Sequence, residues 1–151
     1  MTTNPEAQTV AERQLCGLLN GMAQRIGDHV RRGAGRLGLT APQAIALREL
    51  TGPMTMRELA ERMTCEPSNA TFVVDKLEKQ ELIERRPHPT DRRAKQLVLT
   101  AQGAALRDRL LALLGEESPL AGLTDAERAT LRLLLERAMT HPPEGEPPAR
   151  G

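Results

Sequence analysis

The sequence predicts a mainly α-helical fold of six helices, with a two-stranded antiparallel ribbon between the fourth helix and the fifth. Two observations predict this fold. Apolar residues recur at three- and four-residue spacing through most of the chain, but at every second residue in two short segments, residues 82–86 and 94–99. Residues typical of helix caps divide the helical part into one long helix and five shorter ones.

Composition narrows the class of protein. The chain of 151 residues is long enough for one domain with a modest hydrophobic core, and its single Phe and lack of Tyr and Trp require that core to be aliphatic. No apolar run approaches the roughly 18 residues that a membrane-spanning helix needs, and no signal-peptide pattern opens the chain. Two cysteines without metal-binding spacing suit a reducing compartment, so we expect a cytoplasmic protein that does not enter a membrane.

The first predicted helix is unusually long. Asn4 and Pro5 supply an N-cap and a proline at the first helical position, and apolar residues then recur at helical spacing as far as Val30. We expect the helix to end near Arg32, where two glycines follow, after roughly 40 Å at about 1.5 Å per residue. A helix of this length in a small protein usually packs against more than its own domain.

Three shorter helices follow. Thr40 precedes the second, and Thr55 with Glu58 forms a capping box that opens the third. Pro67 begins the fourth, which we expect to reach about Gln80. Only three or four residues separate the third and fourth helices, which is the spacing of a helix-turn-helix.

The ribbon and two further helices complete the chain. The proline-containing segment 87–91 is predicted to form the turn between the strands. Thr100 then caps a fifth helix, and Thr124 with Glu127 forms a capping box that opens a sixth. Four prolines and two glycines lie beyond His141, so we expect residues 141–151 to be a disordered tail.

The fourth helix has two distinct faces. One face is apolar and consists of Ala70, Val73, Val74 and Leu77. The other has short polar residues in its first two turns and also contains Phe72, the only aromatic residue of the chain. A phenylalanine on a face that should be exposed needs something to cover it. Contact with a thymine methyl group in the DNA major groove is one explanation, and a protein–protein contact is the other.

The ribbon is rich in positive charge. Between residues 85 and 95 five cationic residues oppose one acid, Asp91, which gives this segment a charge of +4. A basic ribbon that follows a helix-turn-helix is typical of a wing that reaches DNA phosphates or the adjacent minor groove. The sequence therefore predicts a winged helix-turn-helix that binds double-stranded DNA.

Five short motifs within this region point to a family. They read MRELAERM (residues 56–63), VVDKLEK (73–79), LIERR (82–86), DRRAK (91–95) and LVLT (97–100). Together they resemble the MarR family of transcriptional regulators, over about residues 10–140. The resemblance implies a homodimer in which residues 37–100 form the winged helix-turn-helix, and residues 1–36 and 101–140 form a helical dimerisation region.

The resemblance also implies which residues contact DNA. By match of position Arg93 enters the minor groove with Arg92 beside it, and Asp91 orients the wing arginines through charge-assisted hydrogen bonds. The family commonly has a glycine where this chain has Glu81, and a left-handed backbone there would cost about 1 kcal/mol. The predicted DNA-contacting residues are Thr55, Ser68, Asn69, Thr71, Phe72, Lys76, Arg86, Arg92 and Arg93.

Regulation is implied by the same resemblance. Members of the family commonly leave a palindromic operator when a small anionic or aromatic effector binds to the dimer. Here the pocket would lie between the first, second and fifth helices, with Arg25, His29 and Arg32 as candidate ligand-binding residues. An effector-released repressor is therefore the first functional hypothesis.

Two other functions stay open. The segment Gln14–Leu15–Cys16 resembles the organic-hydroperoxide sensors of the family, although this chain has no tyrosine to donate a hydrogen bond to the thiol of Cys16. Cys65 is a second candidate redox position. The third hypothesis is a winged-helix module that binds protein through Phe72.

Nothing in the sequence indicates an enzyme. The three histidines, His29, His88 and His141, show no local relation to either cysteine. No glycine-rich phosphate loop or metal-binding motif is present. We therefore expect a binding protein without catalytic residues, cofactor or metal.

Overall fold

The computed structural model describes residues 4–141, and they form the six helices and the two-stranded sheet in the expected order. The helices are α1 (Pro5–Arg36), α2 (Ala41–Glu49), α3 (Met56–Met63), α4 (Pro67–Lys79), α5 (Ala101–Gly115) and α6 (Asp125–Thr140). The strands β1 (Ile83–Pro87) and β2 (Lys95–Leu99) lie between α4 and α5 in the chain. Two compact units result, one ending at Ser118 and the other beginning at Pro119.

Two expectations from the sequence concern membrane-spanning helices and the C-terminal tail. No helix among residues 4–141 is long and apolar enough to cross a membrane. The expected disorder of the tail concerns residues 142–151, which lie outside the described residues, whereas His141 is exposed directly after α6.

The C-terminus of α1 differs from the prediction. The helix ends at Arg36 and not near Arg32, so the glycines do not stop it. Gly33 is buried against α5, where a Cβ would lie 3.0 Å from Cδ2 of Leu114, so glycine permits a close approach of the two helices. The chain leaves the helix before Gly38, whose φ of +69° lies in the left-handed region that glycine adopts readily.

The core of the first unit is aliphatic, as the composition requires. Its largest fully buried side chains come from the α2, α3, α4, strand and α5 segments, and they are Leu47, Leu50, Leu59, Val74, Leu77, Ile83, Leu97 and Leu110. Each such side chain contributes about 1.5–3 kcal/mol by its removal from water. Because α4 and both strands share this core, the ribbon is held against the helix that precedes it.

The two strands pair antiparallel, from Ile83 opposite Leu99 to Pro87 opposite Lys95. Both strands begin one residue later than predicted, and β1 also ends one residue later, at Pro87. At the start of β1 the Leu82 amide still donates to the carbonyl oxygen of Leu77 near the end of α4, at 3.0 Å. Met54, before α3, adds a backbone bridge to Leu97 of β2, with its amide 3.2 Å from the Leu97 oxygen. The ribbon is thereby joined to the helix-turn-helix on both sides.

Glu81 occupies the turn between α4 and β1 with a φ of +62°. This is the left-handed conformation that glycine would adopt at lower cost, by about 1 kcal/mol. The turn forms nevertheless, since the Thr100 hydroxyl donates to the Glu81 carbonyl oxygen at 2.6 Å. The turn therefore keeps the left-handed backbone with glutamate in place of glycine.

The second unit contains α6, which begins with the expected capping box. The Thr124 hydroxyl accepts from the Glu127 amide at 3.2 Å, and the Thr124 amide donates to the Glu127 carboxylate at 3.1 Å. The hydrogen bond from the Thr124 backbone amide, with a smaller contribution from the Thr124 side chain, holds the pKa of the Glu127 carboxyl below its ordinary value. Four large apolar side chains in the C-terminal half of α6 are exposed, namely Leu133, Leu134, Leu135 and Met139.

Candidate nucleic-acid interface

The helix-turn-helix consists of α3 and α4, which are joined by residues 64–66. Thr64 makes the turn with a left-handed backbone, and the Cys65 amide returns to the Ala60 carbonyl oxygen at 3.1 Å. The predicted apolar face of α4 is buried in full, and it comprises Ala70, Val73, Val74 and Leu77. The opposite face of α4 is consequently turned away from the core.

The exposed face of α4 holds the polar residues that the sequence indicated. Ser68, Asn69 and Thr71 are all exposed in its first two turns. The Thr71 hydroxyl donates to the Pro67 carbonyl oxygen at 2.9 Å, so its oxygen remains available as an acceptor. No side chain caps the N-terminus of α4. Helix amides without internal partners favour an anion such as a DNA phosphate.

Thr55 has a different environment from the other predicted contact residues. It is half-buried at the start of α3, where its hydroxyl accepts from the Glu58 amide at 3.2 Å. Its own amide donates to the Glu58 carboxylate at 2.9 Å. Thr55 thus holds the start of α3, and only its hydroxyl hydrogen remains for a phosphate.

Phe72 is 63% exposed on α4, in the position that the helical pattern predicted. The ammonium nitrogen of Lys76, one turn further along the helix, lies 4.4 Å from the centroid of the ring. This is the distance of a cation–π contact, worth about 0.5–1 kcal/mol at an exposed site. The two side chains therefore form a pair on the outward face of the helix.

The wing consists of β1, the turn of residues 88–94, and β2. Three of its cations, Arg92, Arg93 and Lys95, are exposed and form no ion pair within residues 4–141. Asp91 lies beside them, but its carboxylate accepts from the backbone amide of Arg93 at 3.0 Å and not from a guanidinium. Asp91 thus acts on the arginines through the conformation of the turn.

His88 is a residue of the wing that sequence reasoning missed. Its Nδ1 accepts hydrogen bonds from the amides of Thr90 and Asp91, at 3.2 and 3.1 Å. A side-chain acceptor that bonds amides two and three residues ahead holds a tight turn in the manner of an Asx turn. The segment of proline, threonine and aspartate around His88 was the signal that a capped turn was present.

The charge of the wing is lower than the sequence count suggested. Arg85 is 29% exposed, and its guanidinium lies 2.6 Å from the carboxylate of Asp75 and 3.5 Å from that of Glu78, both on α4. Arg86 is exposed but donates from Nε to the Glu84 carboxylate at 2.6 Å. The prediction of a +4 wing overstated the free charge because these acids lie outside the segment that was counted.

The Arg85–Asp75 pair does more than tie the wing to α4. Asp75 lies on the exposed face of the helix, where an unpaired carboxylate would repel DNA phosphates. Arg85 compensates this charge from the neighbouring strand. We therefore regard Arg85 as a positioning residue and not as a DNA contact.

We expect Arg85→Gln to weaken DNA binding about fivefold, the equivalent of ~1 kcal/mol. The substitution frees the Asp75 carboxylate and removes a link between β1 and α4. The Asp75→Asn/Arg85→Gln double variant should regain most of the affinity, as measured by fluorescence anisotropy. Arg128→Gln, which breaks an exposed ion pair with Asp125 on α6 and not on the wing, is the matched control and should leave DNA binding unchanged. A double variant as weak as Arg85→Gln would mean that Arg85 itself contacts DNA.

The predicted ligand residues lie along the second half of α1. His29 is half-buried, and its Nε2 lies 2.7 Å from the Leu114 carbonyl oxygen at the end of α5. A cavity of about 210 Å³ lies beside this bond, lined by His29, Arg32, Gly33, Arg36, Leu113, Glu116 and Glu117. Arg25 is exposed and does not line this cavity. Of the three predicted residues, His29 and Arg32 thus line one cavity. This cavity lies between α1 and the end of α5, and no residue of α2 lines it.

The two cysteines have different surroundings. Cys16 is exposed on α1, and Cys65 is half-buried in the turn between α3 and α4. Neither thiol has a hydrogen-bond partner in the part of the chain from Asn4 to His141. In the same part of the chain, no group of three or more His, Cys, Asp or Glu residues is arranged to hold a metal ion.

Comparison with known proteins places these features in a family context. A model of the MarR family matches residues 39–95. The chain is 33% identical over 96 residues to the HTH-type transcriptional repressor MdtR of Bacillus subtilis, which covers 62% of each protein. It is 30% identical over 114 residues to the HTH-type transcriptional regulator MhqR of B. subtilis, which covers 66% of this chain and 78% of that protein. The match to MdtR thus spans less than two thirds of that repressor.

A further relative and two solved structures are informative. The organic hydroperoxide resistance transcriptional regulator of B. subtilis is 27% identical over 106 residues, which covers 69% of this chain and 72% of that protein. A mutant MarR from E. coli in complex with operator DNA superposes with a TM-score of 0.69 at 25% identity, covering 91% of this chain and 99% of that chain. A Mycobacterium tuberculosis MarR family protein in complex with salicylic acid superposes with a TM-score of 0.62 at 29% identity, covering 80% of this chain and 93% of that chain.

Proposed function

The chain belongs to the MarR family of DNA-binding transcriptional regulators, and we propose that it is a homodimeric repressor which a small-molecule effector releases from a palindromic operator. One observation carries this proposal. The exposed face of α4 and the unpaired cations of the wing lie on consecutive elements that the Arg85–Asp75 ion pair joins. A helix for the major groove and a basic ribbon for the phosphates beside it are thus held together.

The long helix α1 supports the homodimer. Val30 is the first residue of α1 that is fully buried, and before it only Met22, Gly27 and His29 are half-buried. The turns before Val30 nevertheless contain large exposed apolar side chains, which are Val10, Leu15, Leu18, Leu19 and Ile26. A second copy of the chain would cover such a surface, as it would the exposed leucines of α6. We assign dimerisation to residues 1–36 and 101–140, and DNA binding to residues 37–100.

The dimer explains the proposed palindrome. In each subunit α4 is the recognition helix, the one that enters the major groove. Two such helices related by two-fold symmetry read half-sites about 34 Å apart, one turn of DNA. Each subunit presents the same residues to its half-site, and we propose as contacts Thr55, Ser68, Asn69, Thr71, Phe72, Lys76, Arg86, Arg92 and Arg93. Arg86 makes the weaker contribution among the wing arginines, because Glu84 competes for its guanidinium.

We propose a small aromatic acid as the effector. In the cavity between α1 and α5, Arg32 supplies positive charge. Arg36, in contrast, is already paired with Glu116 at 3.3 Å, and Glu117 adds a second carboxylate. The ring of His29 lines the same cavity, with its Nε2 bonded to a backbone carbonyl oxygen at the end of α5. Salicylic acid is bound in the related M. tuberculosis protein, which makes this ligand class the first to test. An effector of this kind acts by binding more tightly to a dimer whose recognition helices no longer match the operator spacing.

A second candidate function is release by oxidation of Cys16. Two observations favour it: the thiol is exposed on α1, and one relative is an organic hydroperoxide resistance regulator. A reactive cysteine needs exposure and a stabilised thiolate, and the first of these conditions is met. Both candidate functions place the protein on DNA in the reducing cytoplasm.

The proposal is tested by fluorescence anisotropy of the full-length protein with a duplex selected from a random pool. Three unpaired wing cations per subunit lead us to expect a slope of about −5 or steeper for log K against log salt concentration. Salicylate should weaken binding. Release by cumene hydroperoxide in the wild type but not in Cys16→Ser would instead favour the redox sensor. Binding without any sequence preference would contradict the proposal and favour a protein-binding module.

A further inference from the structure

Phe72 differs from the other exposed apolar residues of the chain in its location. Most of these side chains lie on α1, α5 and α6, in the regions assigned to dimerisation. Within residues 37–100, Phe72 is the only large apolar residue that is exposed. Its presence there is not explained by packing, because the apolar face of α4 is buried without it.

The neighbours of Phe72 are polar. Ser68 and Asn69 precede it by one turn and Lys76 follows it by one turn, and all three are exposed. A protein-binding hot spot normally has a cluster of apolar side chains around its aromatic anchor, which excludes water from the contact. A single ring among hydroxyl, amide and ammonium groups fits a partner that offers one apolar group within a polar surface.

The Lys76 ammonium holds the ring in the free protein. Its nitrogen lies 4.4 Å from the ring centroid, so one face of the ring is covered and its rotation is restricted. A side chain that is already restricted loses less conformational entropy when it binds. The same ammonium places a positive charge next to the ring on the exposed face of α4.

From these observations we propose that Phe72 contacts the 5-methyl group of a thymine in the major groove and so specifies thymine at one position of each half-site. This inference rests on the proposed function. In the major groove, the thymine methyl is the one apolar group that a base pair presents, and it lies beside hydrogen-bond donors and acceptors. It therefore matches a solitary ring with polar neighbours.

The test measures the methyl group directly. A duplex is selected from a random pool with the wild-type protein, and each thymine in it is then replaced by deoxyuridine, which lacks only that methyl. We expect one thymine per half-site at which the replacement weakens wild-type binding about fourfold. This is the fold-change in affinity that corresponds to ~0.8 kcal/mol for one buried methyl or methylene group. Phe72→Ala should bind both duplexes equally, and Phe72→Leu should keep part of the preference.

Controls separate this inference from the proposed function. Phe72 is exposed, so Phe72→Ala should keep the wild-type melting temperature. Arg93→Ala should bind both duplexes more weakly but with the wild-type preference for thymine. Two outcomes would overturn the role of Phe72 and leave the proposed function standing. One is sequence-specific binding that no deoxyuridine replacement weakens, and the other is an equal effect of the replacement in the wild type and in Phe72→Ala. Absence of sequence-specific binding by the wild type would overturn both proposals.

Discussion

Gly103→Ala should destabilise the protein by about 3 kcal/mol or more, which lowers the melting temperature by roughly 6–12 °C. A Cβ at Gly103 would overlap the carbonyl oxygen of Leu82 and lie 2.9 Å from its carbonyl carbon. Both partners are backbone, so no side chain can rotate away. Relief requires α5 to move off the segment that joins α4 to β1.

The position is constrained from two further directions. The Gly103 amide donates to the Thr100 hydroxyl at 3.0 Å, and the Thr100 amide donates to the same Leu82 oxygen at 3.1 Å. The N-cap thus fixes the first turn of α5 at its point of closest approach to Leu82, and a shift would break these bonds as well. Thermal unfolding followed by circular dichroism measures the effect.

Gly115→Ala is the matched control for this prediction. Gly115 is the last residue of the same helix, and a Cβ there meets nothing within 4 Å. We expect this variant to be neutral or more stable by up to about 1 kcal/mol, because alanine restricts the unfolded chain. A Gly103→Ala protein that melts with the wild type would show that α5 tolerates displacement from the wing.

Arg93→Ala should weaken operator binding by about 1–3 kcal/mol, or roughly five- to 150-fold, the usual worth of a groove contact. Arg93 is exposed and has no ion-pair partner among residues 4–141, so nothing in the free protein competes with DNA for its guanidinium. Because the guanidinium is unpaired in the folded chain, the free energy of unfolding should not change. Anisotropy at constant salt, with a parallel melting curve, measures both quantities.

Two further variants sharpen the interpretation of Arg93. Asp91→Asn should cost less than Arg93→Ala, because the amide oxygen still accepts from the Arg93 backbone amide while the charge is removed. Arg86→Ala should also cost less, since Glu84 already engages that guanidinium. An Arg93→Ala protein with wild-type affinity would contradict the assignment of the wing to DNA.

The fold could be predicted because its signals are local. Capping boxes at Thr55 and Thr124 and the change of apolar spacing at residue 82 depend only on neighbours in the sequence. The structure confirms the six helices and the wing on this basis. The end of α1 was predicted wrongly because the environment of Gly33 depends on Leu114, a residue far along the chain.

The candidate site was predicted less completely for the same reason. The outward position of Phe72 follows from helical spacing, and the structure agrees with it. The pairing of Arg85 with Asp75 does not follow, because it depends on how β1 returns beside α4. The acceptor role of His88 and the cavity beside His29 likewise arise from tertiary geometry, and which of these residues contact DNA or effector stays a prediction.

The placement of Phe72 also has a spectroscopic consequence. With no tyrosine or tryptophan in the chain, near-ultraviolet absorbance says little about the protein concentration. The same composition gives the NMR spectrum a single phenyl ring, distinguishable from the three imidazoles, and that ring lies on the outward face of α4. The resonances of this ring report on the exposed face of α4 without isotope labelling or assignment of the rest of the chain. We expect them to shift when operator DNA binds to that face.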